Sequence, residues 1–234
     1  MTDQSTARQD TGTGTFPSLI FGNMNLIGID LTTSPKKKTA CAVLDAELHL
    51  QDWVLLGSDE EIAAFVEAHR PALVAIDAPL SLPLGLCCLE EGCSCQPVSP
   101  RKGRQCEREL SALGIGCYYT TKRSIIKGMV YRGIRLKAGL EKQGHTVIEI
   151  YPYASKVRLF GPLPRKTTVA ARRALQEGLQ CLILSVPSPQ EDLLSHDALD
   201  ALLAAYTGFL YHCDRTEALG DSSEGLLHIP IRRK

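Results

Sequence analysis

Leu73-Val74-Ala75-Ile76-Asp77-Ala78-Pro79 is the stretch whose reading decides the fold. Its apolar run reads as a buried strand that ends at an acid. The segment before it reads as a helix over 59–69. Ser58 is placed to cap that helix, Ile62, Phe65 and Val66 lie on one face, and Pro71 stops it. Upstream, Asn25-Leu26-Ile27-Gly28-Ile29-Asp30 is another buried strand ending at an acid, and strands follow at 39–44 and 48–56. These three make an antiparallel meander. A strand, a helix and a strand in that order normally close a right-handed parallel crossover. The expected class is therefore α/β, a mixed sheet of three antiparallel strands and then parallel strands with helices on both faces.

Downstream, helices are expected over 107–113, 124–143 and 166–179, a fifth strand over 146–150, and a last strand over 225–231. Pro230 marks that last strand for an edge. Residues 80–105 are rich in Pro, Gly and Cys and read as an insertion within a single domain spanning 23–234. Residues 1–22 are polar and read as a disordered tail. They lack the basic start and apolar core of a signal peptide, and no apolar run approaches membrane-spanning length, so a cytoplasmic protein without membrane contact is expected.

The chain of 234 residues has no net charge, but the charge is unevenly spread. From Arg101 to Lys142 there are 11 Lys/Arg and 3 Asp/Glu, a local excess of 8 positive charges that the rest of the chain balances. That asymmetry suits an anionic partner, nucleic acid above all, and equally suits one solvated helix face. Arg104, Arg108, Lys127, Arg132 and Lys166 are candidates to hold phosphates.

Three acids stand near the ends of buried strands: Asp30, Asp77 and Glu149. A carboxylate in an apolar strand is costly unless it is paired or binds metal. Ser195-His196-Asp197-Ala198-Leu199-Asp200-Ala201 opens the last long helical pattern. At about 100° per residue His196 and Asp200 lie roughly 40° apart, on one edge with Asp197. A capped helix start with a solvated acidic face has the same signature. If the strands are neighbours, the acids converge at their carboxyl ends, where α/β sheets gather functional groups. Asp30, Asp77, Glu149 and Asp200 are then the expected ligands of Mg²⁺ or Mn²⁺, with His196 and Asp197 in support. Two such ions can activate a water and stabilise a leaving oxygen in phosphodiester hydrolysis. No Walker-type or dinucleotide glycine fingerprint is present.

Gly28-Ile29-Asp30, Ile76-Asp77-Ala78-Pro79-Leu80, Arg104-Gln105-Cys106-Glu107-Arg108-Glu109-Leu110, Glu149-Ile150-Tyr151-Pro152, Lys166-Thr167 and Ser195–Ala201 follow one another in this order. Together they resemble the domain-of-unknown-function family 429, the predicted RNase H-like nucleases, from about Leu26 to Ile231. The resemblance implies an RNase H-like fold and a carboxylate metal site at Asp30, Asp77, Glu149, Asp197 and Asp200. Its terminal His/Asp cluster is similar to that of the Holliday-junction resolvases. The expected activity is a metal-dependent nuclease. The alternatives are a non-catalytic nucleic-acid-binding scaffold and a phosphotransferase of the actin/sugar-kinase type.

Nine cysteines remain to be placed. Cys87, Cys88, Cys93 and Cys95, with Cys106 and Cys117 downstream, are candidates for Zn²⁺ or an iron–sulfur cluster, although free thiols fit the spacing equally. Cys41, Cys181 and Cys213 lie in apolar patterns and are expected to be buried packing residues.

Overall fold

The computed structural model describes residues 24–33, 37–161 and 168–232. The tail expected over 1–22 and the candidate Lys166 lie outside the described residues. The chain runs β1 (Leu26–Asp30), β2 (Thr39–Leu44), β3 (Leu50–Leu56), α1 (Asp59–His69), β4 (Leu73–Asp77), α2 (Gln105–Ala112), α3 (Lys127–Lys142), β5 (Val147–Ile150), α4 (Pro152–Phe160), α5 (Val169–Gln180), α6 (His196–His212), β6 (Thr216–Asp221) and β7 (Gly225–Pro230).

One seven-stranded sheet has the order β3-β2-β1-β4-β5-β7-β6. The first three strands form the antiparallel meander, and β4, β5 and β7 then add in parallel. Helices cover both faces. This is the RNase H-like mixed sheet expected from the sequence, extended at one side by the β6–β7 hairpin.

Local chemistry accounts for the element ends. Ser58 caps α1 by accepting from the Glu61 amide, and the Glu61 side chain returns the bond to Ser58, a reciprocal capping box. Pro152 stands in the first turn of α4, where its missing N–H costs nothing. Ser195 caps α6 by accepting from the Ala198 amide at 3.1 Å.

Two apolar layers hold the sheet. On one face Ile27, Ile29, Val43, Val74 and Ile76 pack with Ile62 and Val66 of α1 and with Leu136 and Leu140 of α3. On the other, Ala40, Ala42 and Leu44 pack with Leu175 and Leu179 of α5 and Leu199, Leu202, Leu203 and Tyr206 of α6. Each such Leu or Ile contributes roughly 1.5–3 kcal/mol of burial free energy.

The last helix differs from its expected form. It is not an amphipathic helix with one buried face, because every residue from Ala198 to Gly208 is buried. Its small residues explain this. Ala201 and Ala205 bring the α6 backbone so close to β1 that a Cβ at Gly28 would stand 2.1 Å from the Ala201 carbonyl oxygen. Gly28 is therefore required by close approach, not by its own conformation. Further along α6, Gly208 lies over Leu73 and Ala75, nearer the start of β4. The helix thus runs against the strand direction, and its first turn is directed towards the carboxyl edge of β1 and β4.

The final strand also differs. β7 is interior, between β5 and β6, and Pro230 is tolerated because it is the last residue of the strand. The edge is β6, whose polar Thr-Glu-Ala-Leu-Gly-Asp sequence hides the strand period.

Candidate active site

Asp30 and Asp77 end β1 and β4, and they are register partners across the parallel pair. Ile150 continues the row on β5 and His228 on β7. Side chains alternate along a strand, so Asp30 leaves the sheet on the side of Gly28, the side that α6 covers. Both aspartates are half-buried. Asp77 also lines a small cavity of about 60 Å³ with Arg104, Glu149, Tyr118 and Tyr151. The Tyr151 hydroxyl donates to the Gly116 carbonyl at 3.0 Å. Burial, and after it the negative charge of Asp77, push its pKa up, so Tyr151 stays neutral.

The first turn of α6 brings His196 and Asp200 together. Asp200 is 2 % exposed. One of its oxygens lies 3.1 Å from His196 Nδ1, and the other is paired with the Lys156 ammonium. Lys156 Nζ is in turn 3.5 Å from His196 Nε2. Asp197 points away, more than half exposed, with its carboxylate 3.8 Å from His196 Nδ1. Asp200, expected as a direct metal ligand, is thus engaged on both oxygens by basic groups. Pairing is what allows a carboxylate to be this buried. Sequence reasoning missed Lys156 because α4 went unread. The signal was Tyr151-Pro152, a proline at a helix start directly after a strand.

Glu149, expected among the converging acids, borders the same cavity as Asp77 but differs from it in register and pairing. Its register partner is Ile76, one residue out of phase with Asp77, so the pleat turns it to the opposite face. There Arg104 meets it in a two-pronged ion pair at 2.7 and 2.6 Å, and the Leu80 amide donates to it at 2.7 Å. Arg104 also donates to Glu107 at 3.0 Å, and Glu107 accepts from the Thr120 amide and hydroxyl. Burial opposes the charge of Arg104, but the Glu149 carboxylate holds its pKa well above the ordinary range.

The expected phosphate-binding cations separate in the same way. Arg104, 2 % exposed, borders the small cavity beside Asp77, but its guanidinium is taken up by both oxygens of Glu149. Arg132 is also buried. It pairs with Asp59 at 2.6 Å and donates to the Thr32 carbonyl and to Thr39, tying α3 to α1 and to the β1–β2 connection. Arg108 donates to the Gly103 carbonyl, and Lys127 begins α3, half-buried. Arg101, Lys102, Lys122 and Arg123 instead line an open surface. With Tyr118, Tyr119 and Ile125 they border a cleft of about 670 Å³. Lys102 stands over the Tyr119 ring, 4.9 Å from its centre. Tyr118, 63 % exposed, borders both this cleft and the cavity at Asp77. Charge counting found the basic segment but could not tell which cations turn inward.

Asp30 and Asp77 suit one hard divalent cation, because Mg²⁺ is commonly held by one or two carboxylates with water and substrate phosphate completing the shell. Among the described residues no three acidic side chains bring ligand atoms within 4.8 Å of one another, and the only group of potential ligands that does so is Cys87, Cys88, Cys93 and Cys95. Cys106 and Cys117 do not join that group. Burial pushes their thiols up to about 12 and about 11, and Cys106 packs in the core with Leu110 and Ile229. Cys41 is buried as expected, but Cys181 is exposed and Cys213 half-buried.

A family model described as "Protein of unknown function (DUF429)" matches residues 28–224. No curated protein matches the sequence. Among solved structures, the chain is similar to Thermus thermophilus RuvC at 14 % identity and a TM-score of 0.42, over 82 % of this chain and 97 % of that one. No helix among the described residues is long and apolar enough to cross a membrane.

Proposed function

The chain belongs to the DUF429 family, and on that premise we propose that its acid edge is the active centre of a metal-dependent hydrolase of phosphodiester bonds in nucleic acid. One observation carries this reading. Asp30 and Asp77 are aligned on adjacent parallel strands at the carboxyl edge, on the face covered by the helix that bears His196 and Asp200. Asp30 and Asp77 would hold one Mg²⁺ or Mn²⁺. Such an ion supplies Lewis acidity to a phosphoryl oxygen and lowers the pKa of a bound water.

The chain's own groups do the rest. The carboxylate of Asp200 orients His196 through Nδ1, which leaves Nε2 towards Lys156 as the atom that exchanges a proton. Lys156 compensates the charge of Asp200. Arg101, Lys102, Lys122 and Arg123 draw the phosphate backbone along the cleft, and Tyr118 links the cleft to the cavity at Asp77. The α6 N-terminus adds a partial positive charge at the same edge.

Purified protein with Mn²⁺ should cleave at least one member of a panel of single-stranded, duplex and branched DNA and RNA. Asp77→Asn should abolish cleavage while leaving the thermal midpoint in place. No cleavage of any substrate, with no metal bound, overturns the proposal. The pairing of Asp200 with Lys156 favours a second reading, a non-catalytic nucleic-acid scaffold. Salt-dependent binding that survives Asp30→Asn with Asp77→Asn, in a protein that never cleaves, would select it.

A further inference from the structure

Residues 81–103 contain no helix or strand, yet they pack as one wall of the basic cleft through Pro83, Leu86, Pro97 and Pro100. A compact segment this long without regular structure is uncommon and usually has a function or a staple of its own. It has few internal backbone bonds to hold it. Leu86 N–H reaches the Pro83 carbonyl, Val98 N–H the Leu84 carbonyl, and Cys93 N–H the Glu90 carbonyl at 3.1 Å. The last of these folds the chain back, and it brings Cys93 and Cys95 against Cys87 and Cys88. We propose that these four cysteines hold one zinc ion in a closed tetrahedral thiolate site that fixes the wall of the cleft.

The distances support a single ion. All four sulfurs lie within 4.8 Å of one another, and the Cys87 and Cys93 sulfurs are 3.6 Å apart. With zinc–sulfur bonds of about 2.3 Å, neighbouring sulfurs of a tetrahedron stand about 3.8 Å apart. A disulfide needs about 2.05 Å, well inside the separation here. An iron–sulfur cluster places several atoms between its ligands and spreads them wider than a single ion does. Thiolates select soft or borderline metals, and zinc outranks ferrous iron at such sites. The four thiolates carry more negative charge than the ion neutralises. Lys122 donates to the Cys93 carbonyl, and Arg123 stands nearby, paired with Glu91 at 3.3 Å. Four protein ligands leave no open position, so the ion has a structural role. The site shares no residue with the acid edge and stands or falls apart from the nuclease reading.

The test uses the full chain, purified under reducing conditions and analysed for bound metal. One zinc per chain is expected. Cys93→Ser with Cys95→Ser should reduce zinc to background, whereas Cys181→Ser, at an exposed cysteine outside the group, should leave it unchanged. Should the double variant misfold, the native chain still decides. Stripped of metal and titrated with Co²⁺, it should develop the intense thiolate-to-cobalt absorption of a tetrahedral site, saturating at one equivalent. Bound iron, with or without sulfide, overturns the proposal. A metal-free chain with a Cys87–Cys93 disulfide, or four free thiols that do not take up cobalt, also overturns it.

Discussion

Asp77 and Glu149 both stand near the carboxyl ends of neighbouring strands, yet their surroundings are opposed. Asp77 is aligned with Asp30 on the face that α6 covers. Glu149 sits one residue out of phase, on the face where Arg104 takes both of its oxygens. The difference teaches that one residue of register decides what a strand-end acid does. In phase, the acid joins its neighbour at the carboxyl edge of the sheet. Out of phase, it enters the packing layer and must be neutralised there, because an unpaired buried charge costs several kcal/mol. The Arg104–Glu149–Glu107 hub is the structural counterpart of the acid edge: it ties the N-terminus of α2 to β5 and to the Thr120 segment.

The comparison can be broken at several points. The largest effect is expected at the acid edge itself, where Asp77→Asn removes a charge that would hold the metal. Turnover should fall by about three orders of magnitude, the rate equivalent of several kcal/mol of lost stabilisation. Circular dichroism should show the fold intact. Glu149→Gln should do the reverse. It leaves Arg104 with a weaker partner and should lower unfolding free energy by about 3 kcal/mol in urea titration, while turnover per folded molecule is kept. Loss of turnover in fully folded Glu149→Gln would erase the distinction between the two acids.

Smaller effects sharpen the same contrast between inward and outward charges. Lys122→Ala with Arg123→Ala should reduce the slope of log affinity for DNA against log salt by up to about 0.9 for each phosphate that is no longer neutralised. Arg132, turned inward to Asp59, should affect stability and leave that slope unchanged. The smallest effect is expected at His228, which continues the row of Asp30, Asp77 and Ile150. Burial lowers its folded pKa, so the unfolded chain binds the proton more readily. Its contribution to stability is complete above the unfolded value of about 6.5 and is lost as pH falls through the lower folded value. Thermal midpoints measured downward from pH 7 should fall less steeply in His228→Gln.

Much of the frame could be read from the chain. The strand at Leu73–Asp77 and the helix at Asp59–His69 have the limits that apolar runs, Ser58 and Pro71 mark out. Local patterns failed where pairing decides. Nothing near Glu149 states that it will align with Ile76, because register is set between strands. The burial of Arg104 and Arg132 was equally hidden, since a charge count does not see the acids waiting at Glu149 and Asp59. Lys156 was lost with α4, and β6 was lost to its polar composition. Of the six cysteines grouped by proximity in sequence, the fold gathers four and buries Cys106 in the core.

The central claim is that Asp30 and Asp77 form the cation site and Glu149 does not. Mn²⁺ binding followed by electron paramagnetic resonance tests it without relying on any substrate. The account predicts one Mn²⁺ per native chain with cysteine-bound metal already in place, loss of that ion in Asp77→Asn, and its retention in folded Glu149→Gln. Retention in Asp77→Asn together with loss in Glu149→Gln would contradict it.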